Sequence, residues 1–308
     1  MTLPTLWLVH PNPRESLFAT FLAPRVAAET KLTLFAARME PGGAWQSQIN
    51  PLRDGVNPGE DLQILSTKCL GPDYRVAPAQ LAAGCYHPRI WRPGGPSPFA
   101  DQGGGVLQEV FLTSCSAVLG LLGYLTELFR ALEPVPHNAG AYGHKTRELL
   151  LLACMEVESA WSGVLRANGY PGDRWSTNQY VKLLEPMRLS EYQVQLALHP
   201  RWPAVRPFEG WNDQQPTESL PWYHAYNKTK HGRELHFELA TLEATIQALA
   251  AAFVMVIAQF GPDAFGSPGS HVKGSEFVLI GKPTNFAPDQ VYVPVPGHVA
   301  RTEVPLWH

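Results

Sequence analysis

Cysteine, charge and long apolar runs are all scarce in this sequence. Its 4 cysteines, Cys69, Cys85, Cys115 and Cys154, form no C-x-x-C pair. Structural thiols in a reducing cytoplasm are the expectation. Charged residues make up 17% of the chain and the formal net charge is -3. A broad basic footprint for DNA is therefore not expected, although a local basic site is compatible with these numbers. The longest apolar run, Ala248 to Ala258, lies between Gln247 and Gln259 and is too short to span a bilayer. The opening segment "MTLPTLWLVHPNPRES" has no basic n-region and no apolar stretch of signal length. A soluble, cytoplasmic protein with no membrane partner is the expectation.

The chain is rich in apolar residues, at 45% of 308, and in turn formers, with 29 Pro and 26 Gly. The first figure allows a sizeable core. The second predicts long irregular segments. Residues 1–100 read as a mixed, Pro-rich region. Within it "TLWLV" and "LQILSTKCL" are strand-like, and "LFATFLAPRVAAETKLTLFAARME" fits helix or strand equally. "RPGGPSPFADQGGG", Arg92 to Gly105, has the composition of a linker.

Beyond it the pattern turns helical over 106–262. Leu107, Phe111, Ser114, Val118, Leu121, Leu125, Leu128 and Leu132 follow helical spacing until Pro134 and Pro136. Leu150, Cys154, Val157, Trp161 and Val164 mark a second helix beginning near Lys145 and stopped by "NGYPG". A Pro- and Trp-rich insert follows at 187–221, in which "EYQVQLAL" alternates as a strand does. A single long helix is expected from Pro221 to Phe260, with a stripe of Leu235, Leu239, Leu242, Ile246, Leu249, Phe253, Val256 and Phe260. The remainder, 263–308, carries the strand-like runs "EFVLIG" and "QVYVPVP". The fold class expected is mainly α: an antiparallel helical bundle with an irregular mixed N-terminal region and a small β insert and tail.

The chemistry is concentrated in "YHAYNKTKHGRELHFELA", Tyr223 to Ala240. Asn227 and His231 are four apart and so share a helical face, with Tyr223 one turn earlier. Tyr226, Lys230 and Arg233 form the neighbouring stripe, and Lys228 adds a further cation. A bundle with "YNKTKH" at the head of its last helix resembles the HEPN superfamily of nucleotide- and RNA-directed helical bundles. RNase members of that family carry R-N-x-x-x-H at this place. Asn227 and His231 match the pattern, and Tyr226 stands where the family has Arg. The resemblance covers roughly residues 106–262.

The resemblance implies metal-independent RNA cleavage by a homodimer that brings two such motifs together, in a toxin or phage-defence setting. A base must take the 2′-OH proton, and cations must meet the charge growing on the phosphate. His231 suits the first role, with its near-neutral pKa. Arg233 suits the second through its planar fork, and Lys228 and Lys230 would bind RNA. Asn227 and Tyr226 would orient the reacting groups. A second expectation, from a different class, is a non-catalytic dimeric scaffold with a degenerate motif, which the missing Arg favours.

Other signals are weaker. His224, His231 and His236 are separated by seven and five positions and do not share one face, so no metal is expected. No cofactor is expected either: "DQGGGVLQEV" precedes a helix but lacks the Lys-Ser/Thr of a P-loop. "GCYHPRIW" sets a Cys beside a His without a recognisable third partner. "HPRIWRP" and "HPRWPAVRP" could stack bases, but packing on the helices is the favoured reading.

Overall fold

The computed structural model describes residues 80–81, 84–96, 106–265, 276–284, 286, 290–292 and 301–307, and the backbone of five strands within 7–78. The protein is mainly α and divides into two compact units. The first comprises 1–87, 92–96 and 284–304; the second comprises 88–91, 97–283 and 305–308.

The first unit holds a five-stranded antiparallel sheet in the order β4-β3-β2-β1-β5. Its strands are β1 (Trp7–His10), β2 (Phe18–Ala23), β3 (Thr33–Met39), β4 (Trp45–Pro51) and β5 (Arg75–Pro78). The expected irregular region is thus built on a sheet. The segment that fitted helix or strand resolves as β2 and β3, paired from Phe18↔Arg38 to Ala23↔Thr33. Cross-strand hydrogen bonds settle what local propensity left open. "LQILSTKCL" lies outside the described residues, as does most of "QVYVPVP". A short parallel pair, β6 (Cys85–Tyr86) with β9 (Thr302–Glu303), belongs to the same unit.

The second unit is the helical body. Its elements are α1 (Val106–Phe129), α2 (His144–Ala167), the one-turn α3 (Thr177–Tyr180), α4 (Pro221–His231), the one-turn α5 (Arg233–His236) and α6 (Leu242–Phe260). α2 and α6 make the most extensive contact. They run parallel, because Thr245 Oγ1 donates to Thr146 O near their starts (3.0 Å) and Arg89 bridges their ends. α1 is antiparallel to α6, with Phe111 meeting Phe260 at 5.2 Å between ring centroids. The expected α2 stripe of Leu150, Cys154, Val157, Trp161 and Val164 is wholly buried. By length and composition alone, Leu107–Phe129 and Leu242–Phe260 could each cross a membrane. Within this fold 89% of the α6 window is buried but only 33% of the α1 window.

One expectation is overturned. The last helix does not run unbroken from Pro221 to Phe260. α4 stops at Gly232, α5 and a 3₁₀ turn (Phe237–Leu239) follow, and α6 starts afresh. Thr241 caps α6, accepting from Ala244 N (3.1 Å). Leu242 N and Glu243 N donate to Ala141 O (2.7 Å) and Ala139 O (3.0 Å), so the loop before α2 takes up donors exposed by the break. Leu235, expected to open the apolar stripe, is 76% exposed; Leu239 is half-buried, and the first fully buried residue of the stripe is Leu242.

The insert folds onto the body. β7 (Gln193–Leu196) pairs antiparallel with β8 (Phe277–Gly281), joining two segments read as strands in the sequence. The Trp-Pro loops pack inward. Trp202, Phe208 and Trp211 are buried, Trp211 stacks on Trp161 at 5.0 Å, and Trp222 Nε1 donates to Pro207 O (2.7 Å). Two remote segments strap the body through buried Asn168. Its Nδ2 donates to Pro88 O (2.8 Å) and Val164 O (2.9 Å), and its Oδ1 accepts from Leu306 N (3.2 Å). Gly163 leaves room for the guanidinium of Arg89, whose Nε donates to Gln259 Oε1 (2.8 Å); a Cβ there would collide with it. Burial and the nearby Arg166 lower the Arg89 pKa to about 10.

Candidate functional site

α4 is short, amphipathic and antiparallel to α2. Pro221 suits its first turn, and Gly232 ends it. Its inward face is Trp222, Tyr223, Ala225, Tyr226 and Thr229, all buried. Its outward face is His224, Asn227, Lys228 and His231, at helical spacings of three and four. His224 and Asn227 are half-buried, and Lys228 and His231 are exposed. The pairing of Asn227 with His231 on one face therefore holds, and that face is open to solvent.

The inward face meets Glu158 of α2. Tyr223 Oη donates to Glu158 Oε1 at 2.5 Å, and Tyr226 Oη donates to Oε2 at 3.3 Å. Lys230 Nζ in turn donates to Tyr226 Oη at 2.8 Å and lies 4.9 Å from the centre of that ring. A carboxylate, two phenols and an ammonium thus form one chain of hydrogen bonds. Burial first, and then the Glu158 charge, pushes both phenol pKa values well up, so both hydroxyls stay protonated donors. Cys154, fully buried on the same stretch of α2, is held as a thiol by burial and by Glu158. It is one of the three free cysteines among the described residues, with Cys85 and Cys115; burial raises Cys115 to about 12.

Each residue expected at the site can now be placed. Tyr226 is 1% exposed and commits its hydroxyl to Glu158 and Lys230. Lys230 sits on Tyr226, Lys228 points outward, and His231 closes the last turn of α4. Arg233 opens α5 beyond the Gly232 break, so it does not continue the stripe of Tyr226 and Lys230; its side chain lies outside the described residues. His236 packs near Gly232. Among the described residues no three His, Cys, Asp or Glu side chains gather as a metal site would require.

Two participants were missed in the sequence. Glu158 lies 68 positions before Tyr226 on the exposed edge of the α2 stripe, where a carboxylate reads as an ordinary surface residue. Arg147, at the head of α2, donates from Nη2 to Thr229 O at 3.1 Å. No spacing rule links either residue to α4; only the antiparallel packing of the two helices does. No protein-family model, curated protein or solved structure matches this chain.

Proposed function

We propose that this is an RNA-directed protein of the HEPN type it resembles, a metal-independent endoribonuclease working as a homodimer in toxin or phage defence. In this reading His231 is the acid–base residue, and Asn227 beside it orients the reacting group. Lys228 binds the RNA backbone. No divalent ion or other cofactor takes part.

The position of Lys230 carries the reading. The family motif places a cation one residue before the Asn, where this chain has Tyr226. The Lys230 ammonium lies 2.8 Å from the Tyr226 hydroxyl, so a positive charge stands beside the position the sequence left neutral. The Tyr226 hydroxyl, itself bonded to Glu158, holds that ammonium one turn from Asn227 and next to His231 in the chain. The solvent-open face of Asn227, Lys228 and His231 gives a phosphodiester access to the same turn.

The test is a mixed RNA pool incubated with the purified protein in EDTA. Cleavage is expected in EDTA, and His231→Ala should slow it by about 10²-fold or more, as removal of a positioned acid–base group does. Lys230→Ala should also slow it. Tyr226→Arg is the less informative variant, because it forces a guanidinium into a buried site already organised around the phenol. Absence of cleavage on every RNA, with the dimer intact, would end the enzyme reading.

The dimeric scaffold remains the second reading, favoured by α1. From Val110 to Thr126 it carries no charged residue, yet Leu112 is 49% and Tyr124 61% exposed. An uncharged helical face of this kind fits a subunit contact. Light scattering at micromolar concentration checks both readings for a dimer, and a monomer would count against each.

A further inference from the structure

We propose that Arg89 and Arg166 form an anion site at the C-terminal end of α2, suited to a phosphate group that carries two negative charges. The site is separate from the outward face of α4 and does not rest on the RNA-directed reading. The Arg89 guanidinium lies against Gly163, and Arg166 follows three positions later on the same face of α2. Arg89 Nε donates to Gln259 Oε1 (2.8 Å). Gln259 is itself buried, and its Nε2 donates to Met255 O (2.8 Å), which fixes the direction of that acceptor. Arg166 is exposed, with its guanidinium 5.6 Å from the centre of the Trp175 ring.

The chain makes room for Arg89 as it does for no ordinary surface arginine. The φ of Arg89 is +57°, a left-handed conformation that costs a non-glycine residue energy. Position 163 must be glycine, because a Cβ there would displace the guanidinium. Among the described residues no carboxylate pairs with Arg89 or Arg166. Arg89 meets only the neutral Gln259 amide, and its two Nη groups have no partner among these residues, although neither is sealed from solvent. A guanidinium held this far inside ordinarily has a carboxylate beside it. Here a second cation stands nearby instead, and burial first, then the Arg166 charge, lower the Arg89 pKa to about 10.

Two cations without an acid leave two positive charges to be met. A phosphate monoester or free phosphate carries a charge of about -1.5 to -2 and several acceptor oxygens. Guanidinium forks match that geometry. A carboxylate would neutralise only one of the two. The ligand class is therefore a phosphate dianion, either free or as the terminal phosphate of a nucleotide. Cations at the C-terminal ends of α2 and α6 also suit the helix dipoles, and the experiment separates that role from binding.

The experiment is isothermal titration calorimetry of the full chain with inorganic phosphate, AMP and acetate at constant ionic strength, accompanied by thermal melts. Saturable phosphate binding is expected by millimolar concentration. Arg166→Ala should weaken it about tenfold, the size of one lost charge-assisted contact, and should keep the fold because the side chain is exposed. Arg89→Lys should weaken it similarly, since an ammonium retains the charge but not the fork. If Arg89→Lys does not fold, Arg166→Ala decides alone. No saturable phosphate binding by the wild type would overturn the proposal and leave both arginines a dipole role, read only as a lower Tm in the variants. Phosphate binding that survives the substitutions undiminished would also overturn it, by placing the ion elsewhere. Acetate bound as tightly as phosphate would overturn the assignment to a dianion. AMP distinguishes the two sources: tighter binding than phosphate supports a nucleotide phosphate, and weaker binding supports the free ion.

Discussion

Among the described residues the hydrogen bond between Tyr223 and Glu158 is the shortest that joins α4 to α2, and a double-mutant cycle measures it. The Tyr223 hydroxyl is buried and lies 2.5 Å from Oε1, at the short end of the range for a phenol on a carboxylate. Hydrogen bonds to charged groups contribute about 1.5–3 kcal/mol. Glu158 is half-buried, so water screens its charge and the lower end applies, about 1.5–2 kcal/mol. The Tyr226 contact to Oε2 is longer, at 3.3 Å, and its hydroxyl also receives a bond from Lys230. Its coupling to Glu158 should be about 0.5 kcal/mol.

The cycle combines Glu158→Gln with Tyr223→Phe, and in parallel Glu158→Gln with Tyr226→Phe, each read by urea unfolding. Gln retains the volume and one acceptor, and Phe retains the ring, so the cavity terms stay small. A Tyr223–Glu158 coupling below about 0.5 kcal/mol would refute the argument. So would a Tyr226 coupling larger than that of Tyr223, since distance and burial then would not govern the cluster.

Further outcomes follow from other parts of the fold. Leu249→Asp, at a fully buried position of α6, leaves a charge without a partner and should prevent folding; wild-type thermal stability would show that α6 does not face a core. Asn168→Ala removes the partner of Pro88 O and Leu306 N at one buried point and should cost about 2–4 kcal/mol, read from the shift in urea midpoint. Alkaline pH should destabilise the protein. Tyr223 and Tyr226 have folded pKa values raised above their ordinary 10.0, first by burial, so above about pH 10 the unfolded chain loses these protons and the folded protein keeps them. Their contribution is intact below pH 10 and declines as pH rises beyond it, by at most about 1.4 kcal/mol per pH unit for each hydroxyl. Tyr223→Phe should flatten that decline between pH 9 and 11, and an unchanged slope would contradict it.

What the sequence determined alone is the local part of this architecture. The stripes of α1 and α2 carry their own period, and burial follows it because a helix with one apolar face has only one stable way to bury it, whereas α6, apolar on nearly every side, is buried almost all round. "EYQVQLAL" and "EFVLIG" announced strands for the same reason, at a period of two. The end of α4 was also legible, since Gly232 follows a turn rich in cations and Thr241 precedes a new apolar run, the ordinary signs of a stop and a start. A stripe of leucines at continuous spacing masked them. Only the tertiary structure decided that the stripe breaks, because the carbonyls of Ala139 and Ala141, a hundred residues earlier, take the donors of Leu242 and Glu243. Likewise the sequence placed Asn227 and His231 on one face, since residues four apart must share it. The meeting of Glu158 and Arg147 with Tyr223, Tyr226 and Thr229 depends on how α2 and α4 pack, and side chains 65 to 82 positions apart leave no periodic trace in the chain.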